Sequence, residues 1–440
     1  MIAPSVIADH PPPHKAPAAR RVAVVGSGIA GLAAARGLAT RADVTLFEAE
    51  PRLGGHAHTV DVTVEGRALS VDTGFLVFNE RTYPNLVAMF AALGVETHAS
   101  SMTFGVSLDD GALEWAGTSL DTVFAQRHRA LSPRFLGMLR DILRFNRRSA
   151  DHLADAERRG GDLGQLLRDG GYGDAFRDDY LLPMAAAIWS SPSADVLRFP
   201  AATFLRFCIN HALLQIEDRP VWGTVKGGSR HYVRRLAHGL ADVRLATPVE
   251  RVWRRDGGVV VRSRGSDERF DAVVFATHAP DTLALLADPD AEERQVLEAV
   301  RYQDNEAVLH TDPRLLPRRA KVRSAWNYLG RRTASGERPV CVSYWLNPLQ
   351  SLPVDTPVVV TLNPFEAPAP SHVLGRWTYA HPLFDAAAIA AQQRLPAIQG
   401  RRATWFAGAW TGYGFHEDGL RSALRVLRDF DAVPAWAVTA

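Results

Sequence analysis

Gly26, Gly28 and Gly31 stand in G-x-G-x-x-G spacing, and Glu48 follows 20 residues after Gly28. That set can hold a dinucleotide. Gly26 permits a tight turn, Gly28 lets the backbone approach a pyrophosphate, and Gly31 lets a helix lie close on a strand. Ile29 and Ala30 then fall in the first helical turn, whose free N–H groups and positive dipole end suit phosphate. Glu48 is placed to accept both hydroxyls of an adenosine ribose, and it would repel a 2′-phosphate. Beyond it, Ala49 leads into an Arg-x-Gly-Gly turn, Arg52-Leu53-Gly54-Gly55-His56, which adds N–H donors and a guanidinium near the phosphates. A plain nicotinamide site has no need of that second turn. Near the C-terminus stands the polar cluster His416-Glu417-Asp418: His416 and Glu417 are candidates for proton transfer, His416 equally for a hydrogen-bond donor, and Asp418 for a helix cap.

These residues need elements to hold them. Arg21–Val25 reads as a buried parallel strand, Leu32–Ala39 as a helix and Val44–Phe47 as a second strand. Residues 60–64 and 69–71 alternate around Glu65-Gly66, which predicts a hairpin leading to Asp72-Thr73-Gly74-Phe75. Residues 82–100 and 119–215 read as mostly helical. Within them Phe135, Leu136, Leu139, Ile142 and Leu143 recur at helical spacing beside Arg134, Arg140, Arg144, Arg147 and Arg148. An ordinary helix with its apolar face in the core is the first reading; a basic amphipathic helix on an anionic membrane stays open beside it. Residues 249–253 and 270–280 read as strands, the second ending in Ala276-Thr277-His278. Residues 291–397 carry strands of an antiparallel sheet. Residues 403–408 read as a strand, 409–419 as a loop and 420–427 as a helix.

Together the glycine motif, Glu48, Arg52/Gly54/Gly55 and the closing strand, glycine loop and helix resemble the flavin amine oxidase superfamily. Within it, the chain is similar to a bacterial group of predicted NAD/FAD-binding proteins associated with cyclopropane-fatty-acid-synthase-like methyltransferases. The resemblance implies an α/β fold, in which a Rossmann-like FAD-binding domain (20–90, 222–290 and 398–432) is interleaved with an α+β substrate domain (91–221 and 291–397). It implies FAD as cofactor and hydride removal from a substrate carbon to flavin N5. The FAD contacts it implies extend the set above to Gly74, Phe75, Val249, Val252, Ala276, Thr277, Gly408, Ala409, Glu417, Asp418, Gly419 and Leu420. Many amine oxidases carry a lysine at the start of the strand equivalent to 307–309, where this chain has Asn305-Glu306. The association with lipid-modifying enzymes therefore favours dehydrogenation or oxidation of a fatty-acyl chain. An amine oxidase releasing an imine and peroxide, and a non-redox isomerase or structural flavin, stay open.

Composition narrows the partners. Fifty basic residues face 48 acidic ones, so the charge excess expected of a nucleic-acid binder is missing. Only Lys15, Lys226 and Lys321 are lysines, so a functional lysine has few candidates. Two cysteines are too few for a disulfide framework, and no metal is expected. Residues 1–19 read as a disordered leader. The expected partners are a small-molecule or lipid substrate, and the expected location is cytoplasmic, with peripheral inner-membrane contact open.

Overall fold

The computed structural model describes residues 20–189, 192–215, 219–332 and 339–438. The leader expected over 1–19 lies outside them. β1 (Arg21–Val25) is buried at four of its five positions, as its run of valines dictates, and feeds through the glycine turn into α1 (Ile29–Leu38). β2 (Asp43–Phe47) returns parallel to β1. The parallel sheet has five strands in the order Asp242–Arg244, β2, β1, Ala272–Phe275 and Thr404–Phe406. Its strands come from distant parts of the chain.

A second, seven-stranded sheet runs in the order Val373–Pro382, Tyr302–His310, Val359–Leu362, Cys341–Trp345, Trp326–Gly330, Phe104–Leu108 and Leu113–Ala116. It is antiparallel except where Trp326–Gly330 lies parallel to Phe104–Leu108. Helices from 120–210 pack with this sheet in one large core that includes Phe176, Phe204, Phe207 and Tyr328. The hairpin Thr59–Val64/Arg67–Asp72 forms as read, and its Val64, Leu69 and Val71 join that core.

Several elements depart from the sequence reading. Residues 97–100 form a strand, because Gly94 ends the preceding helix at φ +63° and Thr97–Ser100 then pairs with Trp222–Val225. The strand expected across 270–275 is two, in different sheets. Asp271 separates them and accepts the backbone N–H groups of Arg20 and Arg21 at 2.7 and 2.8 Å. The closing helix starts at His416, not at 420, so Glu417, Asp418 and Gly419 lie in its first turn. In the helix Pro133–Arg147 the buried stripe is Phe135, Met138, Asp141 and Phe145; Leu136 and Leu143, expected on the core face, are exposed. The helices Ala291–Glu298 and Ala386–Arg394 pack with Phe47, Val249 and Phe275 beside the parallel sheet, although both fall within the segments expected for the substrate domain.

One buried ion pair ties these layers. Arg254 meets Glu293 bidentately, at 2.6 and 2.9 Å, with side-chain exposures of 1% and 0%. Arg254 Nε also donates to Asp288 at 2.8 Å. Removing one partner strands the other charge in the interior. Arg254→Met is expected to cost about 3–5 kcal/mol of stability, measured by urea unfolding.

Candidate functional site

The turn after β1 is built by close approach. A Cβ at Gly31 would sit 1.8 Å from the Gly26 carbonyl oxygen, so only glycine lets α1 start there. A Cβ at Gly26 would meet Ala276 O at 2.9 Å and Thr277 Cγ2 at 3.4 Å, which places the end of the middle strand against the turn. Gly28 faces the other way, with no atom within 4 Å of its missing Cβ. The Arg52 guanidinium donates to Gly55 O at 2.8 Å, and Gly55 is set against Gly28, its missing Cβ 3.2 Å from Gly28 Cα. α1 makes its first helical bond from Leu32 to Gly28 O and has no side-chain cap. The N–H groups of Ile29, Ala30 and Gly31, all buried residues, thus have no helical acceptor.

Glu48 ends β2. One carboxylate oxygen accepts Ser27 N–H at 2.8 Å and Ser27 Oγ–H at 2.5 Å, and the other accepts Glu50 N–H at 2.9 Å. Ala49 is exposed beside it. The third chain segment closes in from the C-terminus. Gly408 N–H donates to Ser422 Oγ at 2.8 Å, and a Cβ at Gly419 would lie 2.9 Å from Ile29 Cγ2 and 3.6 Å from Ala409 N. Leu420 is fully buried where the closing helix packs on α1. Two residues read as cofactor contacts sit elsewhere. Val252 is fully buried among Phe47 and Phe270, leaving its side chain no surface for adenine. Glu417 accepts Asn85 N–H at 3.1 Å, Asn85 Nδ2–H at 2.8 Å and Leu86 N–H at 3.0 Å, so it caps the helix Pro84–Leu93. Val249 shares the Phe47 core but stands two residues past Thr247, whose N–H donates to Glu48 O at 2.8 Å. Asp418 accepts Phe415 N–H at 3.0 Å and caps the closing helix.

Between the cradle and the seven-stranded sheet lies a group of rings. Phe75 stacks on His416 at 3.8 Å, and the Tyr232 hydroxyl meets His416 Nε2 at 2.9 Å. Gly74 leaves no room for a side chain, since a Cβ would fall 2.3 Å from His56 O. The His56 ring lies 5.1 Å from Tyr379, 5.4 Å from His381 and 6.4 Å from His278. His278 stacks on Tyr302 at 4.4 Å. The Tyr379 hydroxyl bonds His58 Nδ1 at 2.9 Å and Thr73 Oγ1 at 2.7 Å. Asn305, fully buried, holds His381 Nδ1 at 3.3 Å and accepts Asn363 Nδ2–H at 2.8 Å. Reading the sequence missed Tyr379, His381 and Asp72. The first two, with Trp377, follow period 2 along one strand, so one face of the sheet presents all three. Asp72 is buried and accepts Ser229 N–H, Ser229 Oγ–H and Thr59 Oγ–H, locking the hairpin to the chain near 229. Lys226 pairs with Glu96 on the exposed surface.

Burial keeps these rings neutral. It pushes His416 down to about 3 and His381 and His211 to about 4, and holds His56 well below the usual histidine range. It pushes Asp72 up to about 6, and Glu417 to about 7 against its three donors.

The uncapped start of α1, the open face of Gly28 and the buried His56 Nε2, which has no hydrogen-bond partner among the described residues, fit a dinucleotide cofactor. The profile of flavin-containing amine oxidoreductases matches residues 29–428, from the first residue of α1 into the closing helix. The chain belongs to the flavin-containing amine oxidoreductase family. The cofactor of this family is a flavin, and the one that fits here is FAD. Carotenoid phi-ring synthase of Streptomyces griseus is 34% identical over 282 residues, 58% of this chain and 52% of that protein. Hydroxyneurosporene desaturase of Rubrivivax gelatinosus is 31% identical over 297 residues, 58% and 53% of the two chains. The chain spans about half the length of the curated relatives it matches. A CLA-producing fatty acid isomerase from P. acnes superposes with a TM-score of 0.66 over 93% of this chain and 98% of that one, at 18% identity. Cyclohexylamine oxidase from Brevibacterium oxydans gives 0.65 over 94% and 99%, at 16% identity. Members of this amine oxidoreductase fold thus include oxidases of amines and an isomerase of fatty acids. Among the described residues no group of histidines, cysteines and acids is placed to hold a metal, and no helix is long and apolar enough to cross a membrane.

Two outcomes are expected. Glu48→Gln removes the charged ribose acceptor and loosens Ser27, so FAD retention through gel filtration should weaken about 10-fold or more. Stability should fall with acid. Unfolded histidines take up protons near 6.5, whereas His56, His211, His381 and His416 stay neutral when folded, so their contribution is full above pH 6.5 and is lost as pH falls toward 4. Asp72 and Glu417 act oppositely, losing their contribution as pH rises through about 6 and about 7. Four histidines outweigh two acids. Urea unfolding across this range should show stability rising with pH, and His416→Gln should flatten the slope by nearly one proton.

Proposed function

We propose that this chain removes hydrogen from an uncharged, largely apolar fatty-acyl or lipid chain. The observation that carries this reading is Asn305. In a family whose amine oxidases often place a lysine at this point, the chain buries a neutral amide. The Asn305 amide also meets Gln303 O at 3.1 Å and Tyr379 O at 3.3 Å. Around it stand neutral histidines and tyrosines. Beyond His416, Phe415 stacks on Phe207 at 5.1 Å, and Phe207 stacks on His211 at 3.9 Å. An apolar chain loses little on entering such walls, whereas an amine cation would give up its hydration among neutral rings. The names of the two relatives, one for a carotenoid ring and one for a desaturase, support an apolar carbon skeleton.

FAD, when bound, accepts the hydride. The chain's own side chains do the rest. Gly26, Gly28, Ile29, Ala30, Gly31, Glu48, Arg52, Gly54 and Gly55 hold the nucleotide end, while Thr277, Gly408, Ala409 and Gly419 close around it. The aromatic walls exclude water. His416 keeps a neutral ring beside Phe75 and acts through its bond to Tyr232 as a positioning residue; Glu417 positions the helix Pro84–Leu93. His381, held by Asn305, is the nitrogen base best placed in the ring group to take up the released proton.

Incubation of FAD-loaded protein with acyl lipids and an electron acceptor should yield products two mass units lighter by mass spectrometry. Peroxide release from an amine panel, or an acyl product of unchanged mass formed without acceptor, would overturn the reading. Asn305→Leu should retain FAD but lower turnover by about tenfold and stability by about 1–3 kcal/mol, since Asn363 Nδ2 loses its acceptor and the carbonyls of Gln303 and Tyr379 each lose a donor. A pH–rate profile in which the His381 limb moves would mark the loss of positioning rather than of folding.

A further inference from the structure

The helix Pro133–Arg147 has an outward stripe that the active site does not use. Leu136, Arg140, Leu143 and Arg147 follow at intervals of four, three and four residues, so they share one face, opposite the buried Phe135, Met138, Asp141 and Phe145. Leu136 and Leu143 are 43% and 49% exposed, and the Arg140 side chain is 77% exposed. Leu131 is 86% exposed. It stands at the position before the Ser132 cap, which a helix start brings beside Leu136. Among the described residues nine large apolar side chains are exposed, and four of them, Leu120, Leu131, Leu136 and Leu143, fall between 120 and 143. Single exposed leucines are ordinary; a concentration like this marks a contact surface.

The charges around them have one sign. Residues 119–148 hold seven arginines and two aspartates. Asp141 is buried beneath the helix, and Asp121 is taken by Arg127 and Lys321. Arg134 is spent on Asp179, and Arg144 on Asp141 and the Tyr172 ring. Arg140 reaches Asp141 only at 3.5 Å, and Arg147 has no ion pair among the described residues. Acids return with Asp151, Asp155 and Glu157 around Arg148, which bounds the patch at its C-terminal end.

We propose that this face docks on an anionic lipid surface, with Leu131, Leu136 and Leu143 entering the headgroup boundary and Arg140 and Arg147 meeting lipid phosphates. Alternating leucine and arginine along one exposed stripe satisfies both layers of such an interface at once. A second copy of the chain would bring the same arginines together, and like charges at a self-complementary contact repel. The inference is independent of the acyl reading, since vesicle binding is measured without turnover. A chain that docked on vesicles but oxidised amines would keep one and lose the other.

The test is co-flotation of the full-length, FAD-loaded protein with vesicles of phosphatidylcholine alone or with about 30% phosphatidylglycerol. Binding is expected only to the anionic vesicles and should fall with salt. Leu131→Ser/Leu136→Ser/Leu143→Ser should abolish it. Arg140→Gln/Arg147→Gln should weaken it about tenfold or more, each arginine near an anionic surface being worth about fivefold. All five side chains face solvent, so flavin content and unfolding midpoint should not move. Absence of wild-type binding, binding unaffected by both variants, or a dimer in sedimentation that the leucine variant dissolves would overturn the proposal.

Discussion

The contact on which the rest depends is the one between Gly31 and the carbonyl of Gly26. Because α1 can begin within van der Waals reach of β1, its first N–H groups are left without a cap beside the bare face of Gly28. Those donors need an acceptor, and the pyrophosphate of FAD is one of matching charge. The other elements are arranged around that start. Arg52 fixes the second glycine turn against it, Ala276 and Thr277 close one side, and Gly419 brings the closing helix onto Ile29. Three segments far apart in sequence must therefore fold together before the cradle exists.

A second constraint is electrical. Above the cradle the chain packs histidines, tyrosines and an asparagine, with the nearest acids committed to hydrogen bonds that tie elements together. Asp72 holds the hairpin, Glu417 starts a helix and Asp418 caps another. Burial keeps the histidines uncharged, so the nitrogen bases that line the site add no charge to it. The proposed preference for an apolar chain over an amine follows from that neutrality more than from any single side chain.

The nucleotide half was legible because its chemistry is local. Glycines, a β-branched strand and an acid at fixed spacing each have one structural meaning, and the parallel strands lie where those motifs put them. What the sequence concealed depends on partners distant along the chain. Glu417 looks like a candidate acid until Asn85, 332 residues away, is seen to claim it. His381 and Tyr379 carry a period-2 signal, but only their register opposite Gln303 and Asn305 brings them to His56. On the arginine helix, Leu136 and Leu143 fit an apolar stripe as well as Met138 and Phe145 do. The neighbouring helices, not periodicity, decide which stripe is buried.

The central claim is that a neutral, apolar site feeds this flavin from an uncharged carbon chain. Anaerobic titration of the FAD-loaded protein, followed at the flavin's visible band, tests it most directly. The account predicts bleaching by an acyl lipid and no change with primary or secondary amines. Bleaching by an amine, with the acyl lipid inert, would contradict it.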